Sequence, residues 1–258
     1  MLTLESFSLK DKVVILTGGA GNYGRGLTAQ LAETGATLII ASRGTAALAK
    51  VAAEETARGY QVFAETLDQG DNASVLKLRD TVLKRFGRID GLVNNAVART
   101  MKGPDDTLES FSESMRINAT GIFNISRVVG DVMAARKEGS IVNISSIFGM
   151  LGPNLWNYEG TDYKTVPDYF FHKGGMINLT RYFASIYGLA GVRVNCVSPG
   201  GMFNNQHPAF LERYNKMTML NRMAGTRELG GAVTFLLSAA STYVTAVNLP
   251  VDGGFSAK

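Results

Sequence analysis

The stretch TGGAGNYGRG, residues 17–26, is the part of the sequence that decides the fold. It follows a short apolar run at residues 13–16 and precedes a segment with helical spacing at residues 24–34. Glycines at such a place let the backbone turn sharply and approach a pyrophosphate, while the amino end of the helix presents N–H groups and a positive dipole. A glycine-rich turn between a first strand and a first helix therefore predicts a dinucleotide-binding turn. The alternative is a tight connection without a ligand.

Short apolar runs and longer amphipathic segments alternate along the rest of the chain. Strands are predicted at residues 13–16, 37–41, 62–67, 91–93, 140–144, 192–197 and 247–251. Helices are predicted at residues 24–34, 45–58, 73–86, 108–135, 167–188 and 227–239. Several strands are apolar without alternation, which is typical of strands covered on both faces. We therefore predict one α/β domain over residues 1–258, a Rossmann fold with a doubly wound, seven-stranded parallel sheet and helices on both faces.

Two irregular segments interrupt this alternation, at residues 151–166 and 202–225. Both follow the carboxyl ends of strands, where open α/β sheets bind ligands, so both are predicted to be substrate loops. The alternative for the first segment is that it covers the surface or joins a subunit contact. The two loops offer aromatic and polar side chains: Asn154, Trp156, Asn157, Tyr158, Glu159, Asp162, Tyr163, Asn204, Asn205, Gln206 and His207.

The composition narrows the class of protein. A hydrophobic content of 45% and a charged content of 19% are typical of a soluble globular protein. The net charge of +4 comes without a run of Lys and Arg, so no nucleic-acid partner is expected. Cys196 is the only cysteine and lies in an apolar run, which favours a small buried side chain over a nucleophile. The two histidines have no cluster of metal ligands around them, so no metal site is predicted. The amino terminus lacks a long apolar core, so no membrane anchor and a cytoplasmic location are expected.

Ser146, Tyr169 and Lys173 are the leading candidates for a catalytic site. A phenol with a pKa of about 10 is a poor acid or base at neutral pH. A lysine four residues further along a helix lies on the same face, so its ammonium group can stabilise the phenolate. A hydroxyl group from a neighbouring strand end can hold the carbonyl or alkoxide oxygen on which the tyrosine acts. This combination predicts hydride-transfer chemistry.

The end of the second strand indicates which dinucleotide binds. An acidic side chain there would accept hydrogen bonds from the adenosine ribose of NAD and would repel a 2′-phosphate. Ser42 and Arg43 stand in this place and offer a hydroxyl and a guanidinium group to a phosphate. NADP is therefore preferred, with NAD possible, and the alternative is that Arg43 points to solvent.

Taken together, these residues resemble the short-chain dehydrogenases/reductases over nearly the whole chain. The shared marks are the turn at residues 17–24, Asp68 after the third strand, Asn94-Asn95-Ala96, Asn118, Ser146, Tyr169 with Lys173, and Pro199-Gly200. Within this family, the segment at residues 151–166 and the residues 198–207 resemble a branch around flagellin modification, with gluconate 5-dehydrogenase-like enzymes nearby.

The resemblance implies roles for individual residues. Tyr169 would be the general acid/base, Lys173 would lower its pKa, Ser146 would orient the substrate oxygen, and Asn118 would support a proton path to Lys173. The implied cofactor contacts are Gly18, Asn22, Tyr23, Gly24, Ser42, Arg43, Asp68, Asn95, Ala96, Tyr169, Lys173, Pro199, Gly200 and Met202.

Three positions depart from the family pattern. Asn22 replaces a glycine, which an asparagine can do in left-handed backbone. Val97 replaces the glycine that follows Asn-Asn-Ala, and Asn204 stands where many members have a threonine.

The family further implies an NAD(P)-dependent oxidoreductase that interconverts a secondary alcohol and a ketone, assembled as a homotetramer. The pairing surfaces would be the helices at residues 108–135 and 167–188 and the segment 251–254. The aromatic and polar loops favour a sugar, a sugar derivative or a polyol as the small-molecule substrate. The alternatives are a carbonyl or 3-oxoacyl reductase of the same family, or a catalytically silent NADP-binding scaffold.

Overall fold

A seven-stranded parallel sheet forms the centre of the protein, in the order β3-β2-β1-β4-β5-β6-β7. The computed structural model describes residues 2–257. The prediction of a doubly wound α/β domain is confirmed, and each strand begins and ends within two residues of its predicted bounds. The strands are β1 Val13–Thr17, β2 Thr37–Ser42, β3 Val62–Thr66, β4 Gly91–Asn94, β5 Gly139–Ile144, β6 Val192–Pro199 and β7 Asn248–Val251.

Helices cover both faces of this sheet. They are α1 Asn22–Glu33, α2 Thr45–Ala57, α3 Asn72–Phe86, α4 Leu108–Met115, α5 Gly121–Arg136, α6 Pro167–Tyr187, α7 Pro208–Met217 and α8 Gly230–Leu237.

Two helix predictions need correction. The helix predicted at residues 108–135 is interrupted by a π-helix, Arg116–Thr120, which joins α4 to α5. The segment at residues 202–225 is not wholly irregular, because it contains α7. Pro208 occupies the first turn of α7, where a missing N–H is tolerated, and the ring Nδ1 of His207 accepts a hydrogen bond from the N–H of Ala209 at 3.3 Å.

The core consists of two layers, one on each side of the sheet. Successive residues of a strand point to opposite faces, so Ile15 packs among α3, α5 and α6 while Leu16 packs among α1, α2 and α8. All five residues of β1 are buried, as expected for a central strand covered on both faces.

Buried amide side chains hold the central strands to α6. The Nδ2 group of Asn94 donates to Oδ1 of Asn143 at 2.7 Å, and the Nδ2 group of Asn143 donates to the hydroxyl of Thr180 at 2.9 Å. Such groups would destabilise the core if they lacked partners. Their pairing fixes α6, and thereby Tyr169 and Lys173, against the ends of β4 and β5.

Candidate active site

A cleft of about 960 Å³ lies at the carboxyl edge of the sheet. The polypeptide reverses its winding direction between β1 and β4, and open α/β sheets bind ligands at such a point. Residues that follow six strands, β1 to β6, line this cleft together with residues of the 151–166 segment, α6 and α7.

The turn after β1 is shaped to receive a phosphate group. Gly18 has φ +71°, and a Cβ atom on it would lie 2.9 Å from Cα of Ala96. A Cβ atom on Gly24 would lie 2.0 Å from the carbonyl oxygen of Gly18, so only glycine fits there. No side chain caps the amino end of α1, and its first N–H groups border the cleft. These features fit the pyrophosphate of a dinucleotide.

The backbone conformation of Asn22 differs from the one that the sequence suggested. It is the first residue of α1 and does not have the left-handed backbone for which asparagine is suited. The expectation that Asn22 replaces a glycine through left-handed backbone is therefore wrong. Asn22 and Tyr23 still line the cleft, as expected.

Hydrogen bonds from the end of β4 hold the neighbouring wall. The N–H groups of Asn95 and Ala96 both donate to the hydroxyl of Thr17, at 3.0 and 2.9 Å. The Nδ2 group of Asn95 also donates to the carbonyl oxygens of Thr17 and Gly18. The side chain of Asn95 is thus a clamp between β1 and β4.

Ser42, Arg43 and Asp68 line the end of the cleft beyond this clamp. Oδ1 of Asp68 accepts a hydrogen bond from the N–H of Gly70 at 2.9 Å, which fixes the carboxylate in a tight turn. Arg43 is exposed, and its charge helps to lower the pKa of Glu113, after the larger effect of Arg116.

The structure brings Ser146, Tyr169 and Lys173 to one wall of the cleft. Lys173 is buried, and its Nζ group donates to the carbonyl oxygen of Ile144 at 2.6 Å and lies 5.6 Å from the ring centroid of Tyr169. Burial lowers the pKa of Lys173 to about 8. Burial raises the pKa of Tyr169, whereas a hydrogen bond with Ser146 and the charge of Arg99 act in the opposite direction.

Ser145 and Ser146 have different environments. The Ser145 hydroxyl is buried and donates to the carbonyl oxygen of Lys173 at 2.7 Å. The Ser146 hydroxyl accepts a hydrogen bond from the N–H of Phe148 at 3.2 Å. A hydrogen bond with Tyr169 places the Ser146 side chain beside that phenol.

Asn118 lies in the π-helix between α4 and α5, where a wider turn often marks a functional position. Its side chain does not face the cleft freely. Oδ1 accepts from the N–H of Ala98 at 2.8 Å, and Nδ2 donates to the carbonyl oxygen of Ala98 at 2.8 Å and to the Ser114 hydroxyl at 3.0 Å. The Asn118 side chain therefore fixes the loop that follows β4.

Three residues near Tyr169 were not predicted. The guanidinium carbon of Arg99 lies 5.4 Å from the ring centroid of Tyr169. Asp168 is buried, and its Oδ2 accepts from the Ser114 hydroxyl at 2.5 Å. His172 packs edge-on to Tyr169 with the ring centroids 5.3 Å apart, and burial lowers its pKa to about 3, so its ring is neutral. Only Arg99 had a signal in the sequence, since it closely follows Asn94-Asn95-Ala96.

Two phenol groups hold the segment after β6. The Tyr23 hydroxyl donates to the carbonyl oxygen of Gly200 at 2.7 Å, and the N–H of Gly201 donates to the Tyr214 hydroxyl at 2.5 Å. Pro199, Gly200 and Met202 consequently face the cleft. Burial raises the pKa of Tyr214 to about 12, so this phenol stays protonated and keeps its place.

The segment at residues 151–166 packs against α7 and covers one end of the cleft. Tyr158 and Tyr163 both contact Phe210 edge-on, with ring centroids 5.6 and 5.4 Å apart. The N–H of His207 donates to the Tyr163 hydroxyl at 2.9 Å. Arg213 donates to backbone carbonyl oxygens of this segment.

The two loops contribute a different set of side chains to the cleft from the one that the sequence suggested. Five of the predicted residues line it: Tyr158, Asp162, Tyr163, Asn204 and Gln206. Other residues of the two loops line it as well: Lys164, Thr165, Val166, Met202, Phe210, Tyr214 and Met223. The predicted contributions of the other side chains are wrong, because these lie outside the lining: Asn154, Trp156, Asn157, Glu159, Asn205 and His207. Trp156 lies under the guanidinium group of Arg213, 5.5 Å from its carbon, and His207 caps α7.

Comparison with known proteins identifies the family over nearly the whole chain. The family model described as enoyl-(acyl carrier protein) reductase matches residues 19–256. The chain is 32% identical to levodione reductase from Leifsonia aquatica, over 96% of this chain and 95% of that protein. It is 34% identical to NADP-dependent mannitol dehydrogenase from Alternaria alternata, over 97% of this chain and 94% of that protein.

A solved structure is similar over its full length. It is a gluconate 5-dehydrogenase from Burkholderia cenocepacia J2315 in complex with NADP and tartrate, with a TM-score of 0.90, 30% identity and 100% of both chains covered. The names of these proteins designate different substrates, and what they share is oxidoreductase activity. This chain therefore belongs to the short-chain dehydrogenase/reductase family of NAD(P)-dependent oxidoreductases that interconvert alcohols and ketones.

Proposed function

We propose that this protein is an NADP(H)-dependent oxidoreductase acting on a small polyhydroxylated substrate: a sugar, a sugar derivative or a polyol. The observation that carries the proposal is the convergence of Ser146, Tyr169 and Lys173 in the same cleft as the glycine turn. Aromatic faces and hydrogen-bonding groups from Tyr158, Tyr163 and Asn204 at the covered end of the cleft suit such a substrate.

The roles follow from the positions of these groups. A bound nicotinamide dinucleotide supplies or accepts the hydride. Tyr169 moves a proton between its hydroxyl and the substrate oxygen, and Ser146 donates a hydrogen bond to that oxygen. The positive charge of Lys173, four residues along the same helix, stabilises the phenolate form of Tyr169.

The preference for NADP rests on the end of β2. Ser42 and Arg43 line the cleft there, and neither can accept hydrogen bonds from a ribose as a carboxylate does. A guanidinium group is well suited to bind a 2′-phosphate. The glycine turn would hold the pyrophosphate, Asp68 would contact the adenine, and Asn95 and Ala96 would line the ribose.

The substitution Tyr169→Phe tests this function. We expect the variant to bind NADPH with nearly the wild-type dissociation constant, because the phenol oxygen is only one of many contacts. Its turnover with sugars, polyols and their ketones should fall by a factor of about 10² to 10⁴, the usual contribution of general acid–base catalysis. Cofactor absorbance gives the turnover, and cofactor fluorescence gives the binding. Near wild-type turnover in this variant would refute the assigned role. A parent protein that binds NADPH and turns over no alcohol or ketone would instead be a silent scaffold.

We further propose a homotetramer that pairs through α4, α5 and α6. Apolar side chains on this surface are exposed: Leu108 at 81%, Phe171 at 65%, and Tyr182 and Ile186 each at 55%. Other apolar residues of these helices cannot pair with a second chain, since Ile122, Val128, Ile177 and Phe183 are buried in the chain's own core.

Light scattering at micromolar concentration tests the assembly. We expect four chains in the wild type and smaller species in Phe171→Glu, because a carboxylate would then be buried in the interface. The matched control is Leu4→Glu, an exposed apolar residue far from these helices in the sequence, which should stay tetrameric. A monomeric wild type would contradict the proposal.

No helix within residues 2–257 is long and apolar enough to cross a membrane. The cytoplasmic location and the absence of a nucleic-acid partner stay predictions from the sequence. Cell fractionation checks the first, and filter binding with duplex and single-stranded oligonucleotides checks the second.

A further inference from the structure

Arg99 presents a positive charge in the cleft without a carboxylate to balance it. Its side chain lines the cleft, and its guanidinium carbon lies 5.4 Å from the ring centroid of Tyr169. Among residues 2–257, no carboxylate oxygen lies within the 4.0 Å ion-pair distance of its nitrogens. Arg222, by contrast, precedes the cleft residue Met223 and forms an ion pair with Glu228 at 2.5 Å. Arg99 is therefore available to a ligand.

The charge balance at this end of the cleft is positive. Arg99, Lys164 and Lys173 line it together with a single carboxylate, that of Asp162. The other two charged residues of the cleft, Arg43 and Asp68, lie at the far end, after β2 and β3. A neutral polyol has no need of this excess of cations, whereas an anionic substrate is attracted by it.

The charge of Arg99 reaches both members of the Tyr169–Lys173 pair. It adds to the larger effect of burial in lowering the pKa of Lys173, and it also lowers the pKa of Tyr169, which favours the phenolate. Arg99 is therefore close enough to these groups to contact a ligand that Tyr169 also contacts.

Distance limits where that negative group can be on the substrate. Hydrogen bonds to Tyr169 and to Arg99 each span roughly 2.7–3.0 Å. The guanidinium carbon lies 5.4 Å from the tyrosine ring centroid, so one small molecule can contact both side chains. The negative group therefore belongs to the same substrate molecule as the reacting carbon.

We propose that Arg99 is the carboxylate anchor of the active site and that the substrate is a short hydroxy acid or its oxo acid. The planar shape of a carboxylate matches the two-pronged donor pattern of a guanidinium group. This inference rests on the proposed oxidoreductase function and narrows its substrate class to molecules that carry a carboxylate.

Binding of succinate to the NADP-loaded protein tests the anchor without any turnover. Succinate carries the carboxylate and lacks a reacting carbonyl, and titration calorimetry gives its dissociation constant. We expect Arg99→Met to weaken binding at least tenfold and Arg99→Lys to restore part of it. Lys102→Met is the matched control, because this exposed cation lies on the same loop outside the cleft, and it should bind like the wild type. Failure of the wild type to bind succinate would overturn the proposal.

Turnover of matched acids and esters shows whether Arg99 binds the substrate carboxylate or acts only through its charge on Tyr169. The probes are 2-, 3- and 4-oxo acids, their methyl esters, and phosphate esters of hydroxyketones with the same chain length. We expect the wild type to prefer at least one acid over its ester by tenfold or more in kcat/KM, and Arg99→Met to abolish this preference through KM. If Arg99→Met lowers kcat/KM equally for the acid and its ester and also shifts the pH profile, Arg99 acts only through its charge on Tyr169. That result would overturn its role as a carboxylate anchor. A preference for phosphate esters would also overturn the assignment.

Tyr169→Phe distinguishes failure of this inference from failure of the proposed function. It should lower turnover by a factor of about 10² to 10⁴ and leave succinate binding nearly unchanged. If Tyr169→Phe keeps its turnover while Arg99→Met binds succinate at least tenfold more weakly, the proposed mechanism fails and the role of Arg99 as an anchor stands. If Tyr169→Phe loses turnover while Arg99→Met keeps the wild-type affinity for succinate, the anchor fails and the mechanism stands.

Discussion

The buried pair of Asp168 and Ser114 gives the most direct test of how α6, the helix that carries Tyr169 and Lys173, is held in place. Asp168 precedes Tyr169 in the first turn of α6, and Ser114 belongs to α4. Their side chains are 3% and 0% exposed, and the hydroxyl–carboxylate distance is 2.5 Å. Ser114 in turn accepts from Asn118, whose side chain holds the loop after β4. We therefore expect this bond to fix Tyr169 relative to that loop.

The magnitude follows from the type of bond and its burial. A hydrogen bond to a charged group contributes about 1.5–3 kcal/mol, and burial prevents water from replacing it. Asp168→Ala should therefore lower the free energy of unfolding by about 2–3 kcal/mol, since it also leaves the Ser114 hydroxyl without its acceptor. Asp168→Asn should lower the free energy of unfolding less, because an amide oxygen can still accept a hydrogen bond from Ser114. Oδ1 of Asp168 has no partner, so the amide nitrogen gains no bond at that side.

A double-mutant cycle with Ser114→Ala measures the bond itself. Urea unfolding at one fixed protein concentration gives the four free energies, since assembly makes stability concentration-dependent. We expect a coupling energy of about 1.5–3 kcal/mol and a fall in kcat, with little change in the dissociation constant of NADPH. The control is Ser110→Ala, a partly exposed serine of the same helix that contacts Thr107 rather than Asp168. Additive effects within about 0.5 kcal/mol would refute the reasoning.

Two further predictions concern charges. Arg43→Ala should weaken NADPH far more than NADH, because only the former carries a 2′-phosphate, and equal losses measured by cofactor fluorescence would contradict the NADP preference. Lys173→Met should abolish turnover and be more stable than the wild type at pH 7, because it removes a buried charge. That difference should narrow as the pH rises from about 8, where folded Lys173 loses its proton, towards 10.5, where the unfolded state loses it. Chemical unfolding at several pH values gives the difference in the free energy of unfolding between the variant and the wild type. A difference that stays constant over this range would show that burial does not lower the pKa of Lys173.

The sequence predicted the sheet well because its strands are buried on both faces and their apolar runs have clear ends. It could not predict the π-helix at Arg116–Thr120, since the helical pattern continues through it without a proline or glycine. What changes there is the hydrogen-bond register, and side-chain periodicity carries little information about it. Helix α7 was missed for a different reason. The polar stretch before it resembles a loop, and its start depends on a His207 cap, which is less common than Ser or Asp.

Within the site, the spacing of Tyr169 and Lys173 was readable because both lie on one helix. Asp168 and Ser114 are 54 positions apart in the chain, and only the packing of α4 against α6 brings them together. Arg99 lies on a loop whose course is set by the two bonds between Asn118 and Ala98. Groups that meet through tertiary contacts leave no periodic signal in the sequence, so only the structure identifies them.

The first two turns of α6 concentrate the groups that are hardest to bury. Asp168, His172 and Lys173 are each 3% exposed, and burial penalises the charged form of every such group. Neither ring nitrogen of His172 has a partner, so this stretch lacks the full polar pairing that a stable core requires. The two apolar layers and the Asn94–Asn143–Thr180 bonds hold the helix in place despite this. The helix is therefore positioned by the sheet beneath it, and its first turns can hold buried titratable groups beside Tyr169.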